Sequence, residues 1–161
     1  MLKFCKVLAM ALVILFSACS DEEKSTNQTA SDAAVVVSAN TGDVKNTFRI
    51  DVADTKEKLR HGLMGRTSID ENYGLLFDVN IAPKDSEIAF WMKDTLIPLD
   101  MLFMDEQGVI FYIHKNAQPN DVTPIYPPKR PRAVLEINAG QADKYGINVG
   151  DMLKADLFGN N

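Results

Sequence analysis

The sequence has 161 residues, 46% hydrophobic and 24% charged, which is the composition of one globular domain and excludes a disordered or fibrous protein. Seventeen basic against 22 acidic residues give a net charge of −5, which argues against a protein that binds nucleic acid through its phosphates. The two cysteines would allow one disulfide, and the N-terminal pattern removes that option.

The N-terminus has the pattern of an export signal. Lys3 and Lys6 are followed by a wholly apolar run over residues 7–16, about half the roughly 20 residues that a spanning helix needs. The segment LFSAC at 15–19 resembles a bacterial lipobox, in which the cysteine is acylated and becomes the new N-terminus, although Phe16 is bulkier than usual there. The sequence therefore predicts a lipoprotein signal peptide over 1–18 and lipidation of Cys19, with an ordinary cleaved signal or an uncleaved anchor as the alternatives.

This interpretation decides the cysteine chemistry and the expected location. Cys5 would leave with the signal and Cys19 would carry lipid such as palmitate, so that no thiol remains to pair. The loss of two lysines lowers the net charge to −7. Ser20 stands where an aspartate would resemble an inner-membrane retention signal. We therefore expect the membrane partner to be the outer membrane, with the domain facing the periplasm.

A polar segment separates the signal from the domain. Residues 20–32 contain no aromatic or large aliphatic side chain, so they cannot bury enough apolar surface to offset the entropy of ordering. We expect a tether over 19–34 and a single globular domain over 35–161. The run AAVVVSA at 33–39 fits either a first strand or the end of the tether.

Inside the domain the dominant hydrophobic period is two, which predicts strands. Phe48, Ile50 and Val52 alternate with polar residues, and the segments Leu99–Met104 and Val109–Ile113 flank a turn that ends in Gly108, as in a hairpin. Further strands are predicted at 75–77, 88–92, 133–137 and 152–158.

Helical signals are few. Asp54 and Glu57 resemble a capping box for a helix that ends near Gly62 and Gly65, and a second short helix is expected over Gln141–Tyr145. Many short strands with about two short helices predict an α+β, mainly β fold, built as a small barrel or sandwich.

Three stretches carry a family resemblance: GLMGR at 62–66 with YGLLF at 73–77, FWMKDTLIPLD at 90–100, and VLEINAG at 134–140 with GD at 150–151. With these segments the chain resembles the bacterial and archaeal domain-of-unknown-function family 192, whose pattern runs GLM-R, G-LF, FWMKNT-IPLD, VLE-AG and GD. The family usually has asparagine where this chain has Asp94. The resemblance implies a compact domain of short strands, often exported or membrane-attached, and no established reaction.

The same stretches supply the candidate site. Alternation puts Trp91 and Lys93 on one face, and it puts Asp100 and Glu136 on partly apolar faces, where a carboxylate needs a partner. One hypothesis is structural: Asp94, Thr95 and Asp100 tie down a turn, and Trp91 belongs to the core. Glu136 would then form a salt bridge to Arg132 or Arg66. The other is a ligand cleft. Its candidate binding residues are Arg66, Trp91, Lys93, Asp94, Asp100 and Glu136.

Catalytic motifs are scarce in the sequence. His61 and His114 lack the spacing of metal ligands, and no phosphate loop, GxSxG elbow or cofactor motif is present, so we expect neither metal nor cofactor. The sequence favours a non-catalytic binding or accessory domain whose partner is a small ligand or an envelope protein, and not nucleic acid. The alternative is an envelope hydrolase that uses a carboxylate pair from Asp94, Asp100 and Glu136.

Overall fold

The structure is a computed structural model that describes residues 32–37 and 41–160. The predicted signal peptide, Cys19 and the first part of the predicted tether lie outside the described residues. The elements are, in chain order, β1 (Asp32–Val37), β2 (Val44–Ala53), α1 (Lys56–His61), β3 (Tyr73–Asp78), β4 (Leu99–Met104), β5 (Ile110–Ala117), β6 (Ala133–Asn138), α2 (Gln141–Lys144) and β7 (Met152–Lys154). Single 3-10 turns follow β3 at Val79–Ile81 and β7 at Asp156–Phe158.

Within the described residues these strands form one seven-stranded mixed sheet in the order β5-β4-β6-β3-β2-β1-β7. Only the β2–β3 pair is parallel among the described pairs. The two edges meet, because Val109 forms a bridge to Met152 and Ile110 N donates to Asp151 O at 2.8 Å. The sheet is thus a small closed barrel, which confirms the mainly β fold class with two short helices.

Gly108 makes this closure possible. It lies in the predicted hairpin turn between β4 and β5 with φ +83°, and a Cβ there would be 2.5 Å from the carbonyl oxygen of Leu153. The Leu153 amide donates to Gly108 O at 2.9 Å. A side chain at this position would therefore push β7 away from the β4–β5 hairpin.

The central strands are buried on both faces. Leu76, Leu102 and Leu135 belong to the core inside the barrel. Their chain neighbours Phe77, Phe103 and Val134 belong to a second core on the outer face, which α1 and the connections over 79–98 and 118–132 cover. Burial on both faces explains why these strands read as nearly continuous apolar runs.

The predicted strand over 88–92 is wrong. The segment forms a single bridge, in which Phe90 and Ile125 exchange two backbone hydrogen bonds of 3.0 and 2.7 Å. The next pair of this kind would place Ile88 opposite Pro127, which has no N–H to donate, and Asp94 turns the chain with φ +55°.

Two element ends also differ from the predictions. The N-cap of α1 is Thr55, whose hydroxyl accepts from Lys58 N at 3.2 Å, while Asp54 pairs with Lys58 Nζ at 2.6 Å. The last strand stops at Lys154 instead of residue 158, because the side chain of Asn160 accepts from Ala155 N and so satisfies the backbone there.

β1 begins at Asp32, slightly ahead of the predicted domain start at residue 35, and its register with β2 pairs Asp32 with Ile50. No helix within 32–37 and 41–160 has both the length and the apolar character needed to cross a membrane.

Candidate functional site

A cavity of about 310 Å³ lies between the outer face of the sheet and the segments that cover it. Four stretches of the family pattern meet there: Gly62–Met64 after α1, Phe77 in β3, the segment around Trp91, and Glu136 in β6. Residues far apart in sequence therefore form one concave surface, which is typical of a small-molecule site.

A backbone contact joins two of these stretches. The carbonyl of Asp94, held by the left-handed φ of that residue, accepts from Gly65 N at 2.9 Å. Asparagine and aspartate tolerate this conformation better than other non-glycine residues, which explains why either fits the pattern at this position. Gly62 has φ +51°, and a Cβ there would be 3.2 Å from the Phe77 ring, so glycine lets α1 approach the sheet.

Glu136 is the buried acid of the cavity. Its strand neighbours are Leu75 on β3 and Met101 on β4, and its side chain lines the cavity with the residue only 5% exposed. The carboxyl has no hydrogen bond or ion pair to any residue in the described part of the chain. Because burial penalises the charged form, the pKa of Glu136 is raised to about 8.

The expected salt bridge of Glu136 is wrong for both proposed partners. Arg132 pairs with Asp78 and lies 3.7 Å from Glu106. The guanidinium of Arg66 stands over the ring of Tyr73, 5.3 Å from its centroid. Both bases are thus engaged elsewhere.

The aromatic part of the site follows the predicted alternation even without a strand. Phe90 packs edge-to-face on Phe77 and Phe103, with ring centroids 5.2 and 5.6 Å away, and Met92 is buried. Trp91 points the other way and is 50% exposed while it lines the cavity. Trp91 is therefore a solvent-accessible wall of the cavity, and the hypothesis that it belongs to the core is wrong.

Asp100 has a structural setting away from this cavity. Its carboxylate is 1% exposed, accepts from Asn116 N at 2.9 Å and from Ala142 N at 3.0 Å, and so ties β4 to the end of β5 and to α2. Asp100 lies opposite Ile137 in the register, whereas Glu136 is the next residue along β6. The two carboxylates therefore project from opposite faces of the sheet.

Of the six candidate ligand residues, the structure brings Trp91 and Glu136 together in the cavity. Lys93 and Asp94 are exposed, 4.0 Å apart, and neither they nor Arg66 belong to its lining. Of the three acids predicted to supply a carboxylate pair, Glu136 lines the cavity, whereas Asp94 and Asp100 do not.

Several residues that line the cavity were not among the predicted ligand residues, Thr95 having been assigned only to a turn. Thr95 is 5% exposed and lines the cavity, and its hydroxyl donates weakly to Lys93 O at 3.4 Å. His61, the last residue of α1, lines the solvent-exposed side of the cavity. Their only signal was membership of the motifs, since a hydroxyl in a turn and a single histidine point to no particular chemistry. The described residues contain no group of three side chains arranged to hold a metal ion.

Comparisons with known proteins give a family and a fold without an activity. Two similar crystal structures can be compared with this chain. One is of a protein of unknown function from Novosphingobium aromaticivorans DSM 12444, with 34% identity and a TM-score of 0.68 over 76% of this chain and 83% of that chain. The other is of a candidate transcription regulator from Sinorhizobium meliloti 1021, with 31% identity and a TM-score of 0.71 over 78% of this chain and 94% of that chain. No curated protein matches this sequence. The model of the family DUF192, described as "Uncharacterized ACR", matches residues 36–155 and thus most of the barrel. The chain therefore belongs to the DUF192 family.

Proposed function

We propose that this domain binds a small organic ligand in the cavity that contains Glu136. The observation that carries the proposal is the carboxyl of Glu136, which lines the cavity, belongs to a residue only 5% exposed, and has no partner among the described residues. Buried polar groups in proteins are nearly always hydrogen-bonded, and a buried acid without a partner lowers stability. A perturbed acid that faces a cavity is typical of a functional site.

The shape of the cavity supports the same proposal. Its volume of about 310 Å³ falls at the lower end of the range of small-molecule sites. Its lining combines aliphatic and aromatic side chains with two buried polar groups, the Glu136 carboxyl and the Thr95 hydroxyl. An apolar enclosure with few polar groups suits a ligand that is oriented by one or two hydrogen bonds.

Binding is favoured over hydrolysis because the second carboxylate of the cavity lining, Glu87, is exposed and is held by no ion pair or hydrogen bond to another described residue. A hydrolase with paired acids needs them roughly 5–10 Å apart across the substrate. The other two acids of the predicted pair, Asp94 and Asp100, do not line the cavity.

The binding proposal is tested with the fragment from Asp32 to Asn161, which contains the closed sheet and both cores. A library of neutral, cationic and anionic fragments is screened by the rise in melting temperature and by the fluorescence of Trp91, the sole tryptophan of the sequence. We expect hits that shift both signals and that lose affinity in Trp91→Ala. A library without any such hit, or hits unaffected by Trp91→Ala, would overturn the proposal.

We further propose that the protein is exported and anchored in the outer membrane through lipid on Cys19, with the barrel in the periplasm. Support comes from the two lysines, the short apolar run and the LFSAC segment. In cells given radioactive palmitate, the wild type should be labelled and Cys19→Ser should not, while Ser20→Asp should move the protein to the inner-membrane fraction. Label that survives Cys19→Ser would defeat the assignment.

A further inference from the structure

We propose that the ligand of the cavity is an organic cation, whose ammonium or guanidinium group pairs with Glu136. The inference rests on the binding function proposed above and gives it a substrate class. It follows from the charges near Glu136, from the character of the cavity walls, and from the acceptor groups inside.

Among residues 32–37 and 41–160, no base forms an ion pair with Glu136. Arg132 is committed to Asp78, and Arg66 lies over Tyr73. The other bases of the lining, Arg60 and His61, are exposed, and neither forms an ion pair with Glu136. A buried carboxylate is stabilised most by an opposite charge in direct contact with it. A cationic ligand would supply this charge to Glu136.

The walls suit a cation as well. Phe77, Phe90 and Trp91 contribute aromatic rings to the lining, and ring faces carry negative partial charge that attracts ammonium and guanidinium groups. An anionic ligand would be repelled by Glu136 wherever this carboxyl is ionised, above its pKa of about 8.

The polar atoms inside the cavity act as acceptors. Thr95 donates its hydroxyl proton toward Lys93 O, which leaves its lone pairs for an N–H donor. The ionised Glu136 carboxyl accepts only. A ligand head that carries N–H groups therefore suits the acceptors of both side chains.

Protonation gives this inference a distinct signature. Because the pKa of Glu136 is raised to about 8, the carboxyl is mostly neutral at pH 7, and a cation that binds the ionised form releases one proton. A neutral acceptor ligand would bind the protonated form and release none. The other ionisable groups that line the cavity are Arg60 and His61 at the end of α1 and Glu87 on the covering segment.

The experiment compares benzylguanidinium with benzylurea, which have the same shape, together with methylguanidinium and methylurea as a smaller pair. Guanidinium stays charged throughout pH 6–9, so any pH dependence belongs to the protein. We expect the cation of at least one pair to bind at least tenfold tighter than its urea at pH 8. Its affinity should fall about tenfold per pH unit below 8, with proton release seen as a calorimetric heat that depends on the buffer.

Variants assign the effect to one side chain. Glu136→Gln should abolish both the preference for the cation and the pH dependence. The exposed Glu57→Gln on α1, which does not line the cavity, should retain both, so that the effect is assigned to Glu136 and not to any loss of a carboxylate. If Glu136→Gln does not fold, the proton release of the wild type remains the decisive measurement.

The outcomes distinguish the two proposals. If a urea binds as tightly as its guanidinium partner, or the cation binds without proton release, the cavity binds a ligand but the cationic class is wrong. If no probe of either pair changes the fluorescence of Trp91 or the melting temperature while the fragment screen gives hits, the cationic class is again wrong. If neither experiment gives binding, the binding function itself is overturned.

Discussion

Replacing Glu136 by glutamine should change how the stability of the domain depends on pH. The carboxyl is buried without a partner, and its pKa is about 8 in the folded protein against a reference value of 4.5. Folding therefore favours the protonated form. The stability that this group contributes is fully present below pH 4.5 and is lost as the pH rises to 8, after which the loss is constant.

The size of the effect follows from the same shift. Each pH unit between the two pKa values lowers the free energy of unfolding by about 1.4 kcal/mol, so the loss is about 3 kcal/mol between pH 4.5 and pH 7 and about 5 kcal/mol in all. Glutamine has the shape of glutamic acid and no charge, and its curve lacks this loss. The difference in unfolding free energy, variant minus wild type, should therefore grow with pH from 4.5 to 8 and then level off.

The assay is urea denaturation at pH 5, 6, 7 and 8, followed by circular dichroism and by Trp91 fluorescence. Subtracting the two curves removes the contribution of every group that the two proteins share. Glu57→Gln, the same change at an exposed position of α1, serves as the control and should give a difference that does not vary with pH. Parallel curves for Glu136→Gln and wild type would show that the buried carboxyl is ionised or paired in the folded protein, and the reasoning would fail.

Three further outcomes are expected. Gly108→Ala should lower the free energy of unfolding in urea by roughly 2 kcal/mol or more, because φ is positive there and the new Cβ would be 2.5 Å from the carbonyl oxygen of Leu153. A loss under about 0.5 kcal/mol would contradict the role of this turn in closing the barrel. Asp100→Ala should lower the free energy of unfolding by about 2–4 kcal/mol, because the backbone amides of Asn116 and Ala142 lose their acceptor. The variant that remains folded should bind cationic probes as the wild type does, and a selective loss of binding would place Asp100 in the site. Trp91→Ala should change stability by less than about 1.5 kcal/mol, because the side chain is half exposed, yet weaken probe binding severalfold by titration calorimetry; unchanged affinity would remove Trp91 from the cavity wall.

The period of two was sufficient to predict most of the sheet. It located β2 and β5, where alternating side chains mark the buried face, whereas β4 and β6 are short apolar runs that are buried on both faces. It misplaced a strand at 88–92 for a related reason. That segment also has one buried face, but it lies on the outer core, where Pro127 prevents a longer ladder.

The hydrophobic period of the sequence could not predict that the barrel closes or which residues form the site. Asp100 and Glu136 give the same sequence signal, an acid on a partly apolar face. Their settings differ because Asp100 meets two backbone amides from distant segments and Glu136 meets a cavity. Which face of a strand an acid occupies depends on register with its neighbours, and register is a property of the folded sheet.

The position of β1 in the sheet has a consequence for the order of folding events. β1, the first strand of the described residues, lies between β2 and β7, with Val36 opposite Leu153. The barrel therefore cannot close until the C-terminal strand has been synthesised, and pairings this distant in sequence make folding slow compared with that of helical domains. In an exported chain that crosses the membrane N-terminus first, the barrel would stay open as long as β7 remained in the cytoplasm. The chain would therefore stay unfolded enough to pass through a translocation channel.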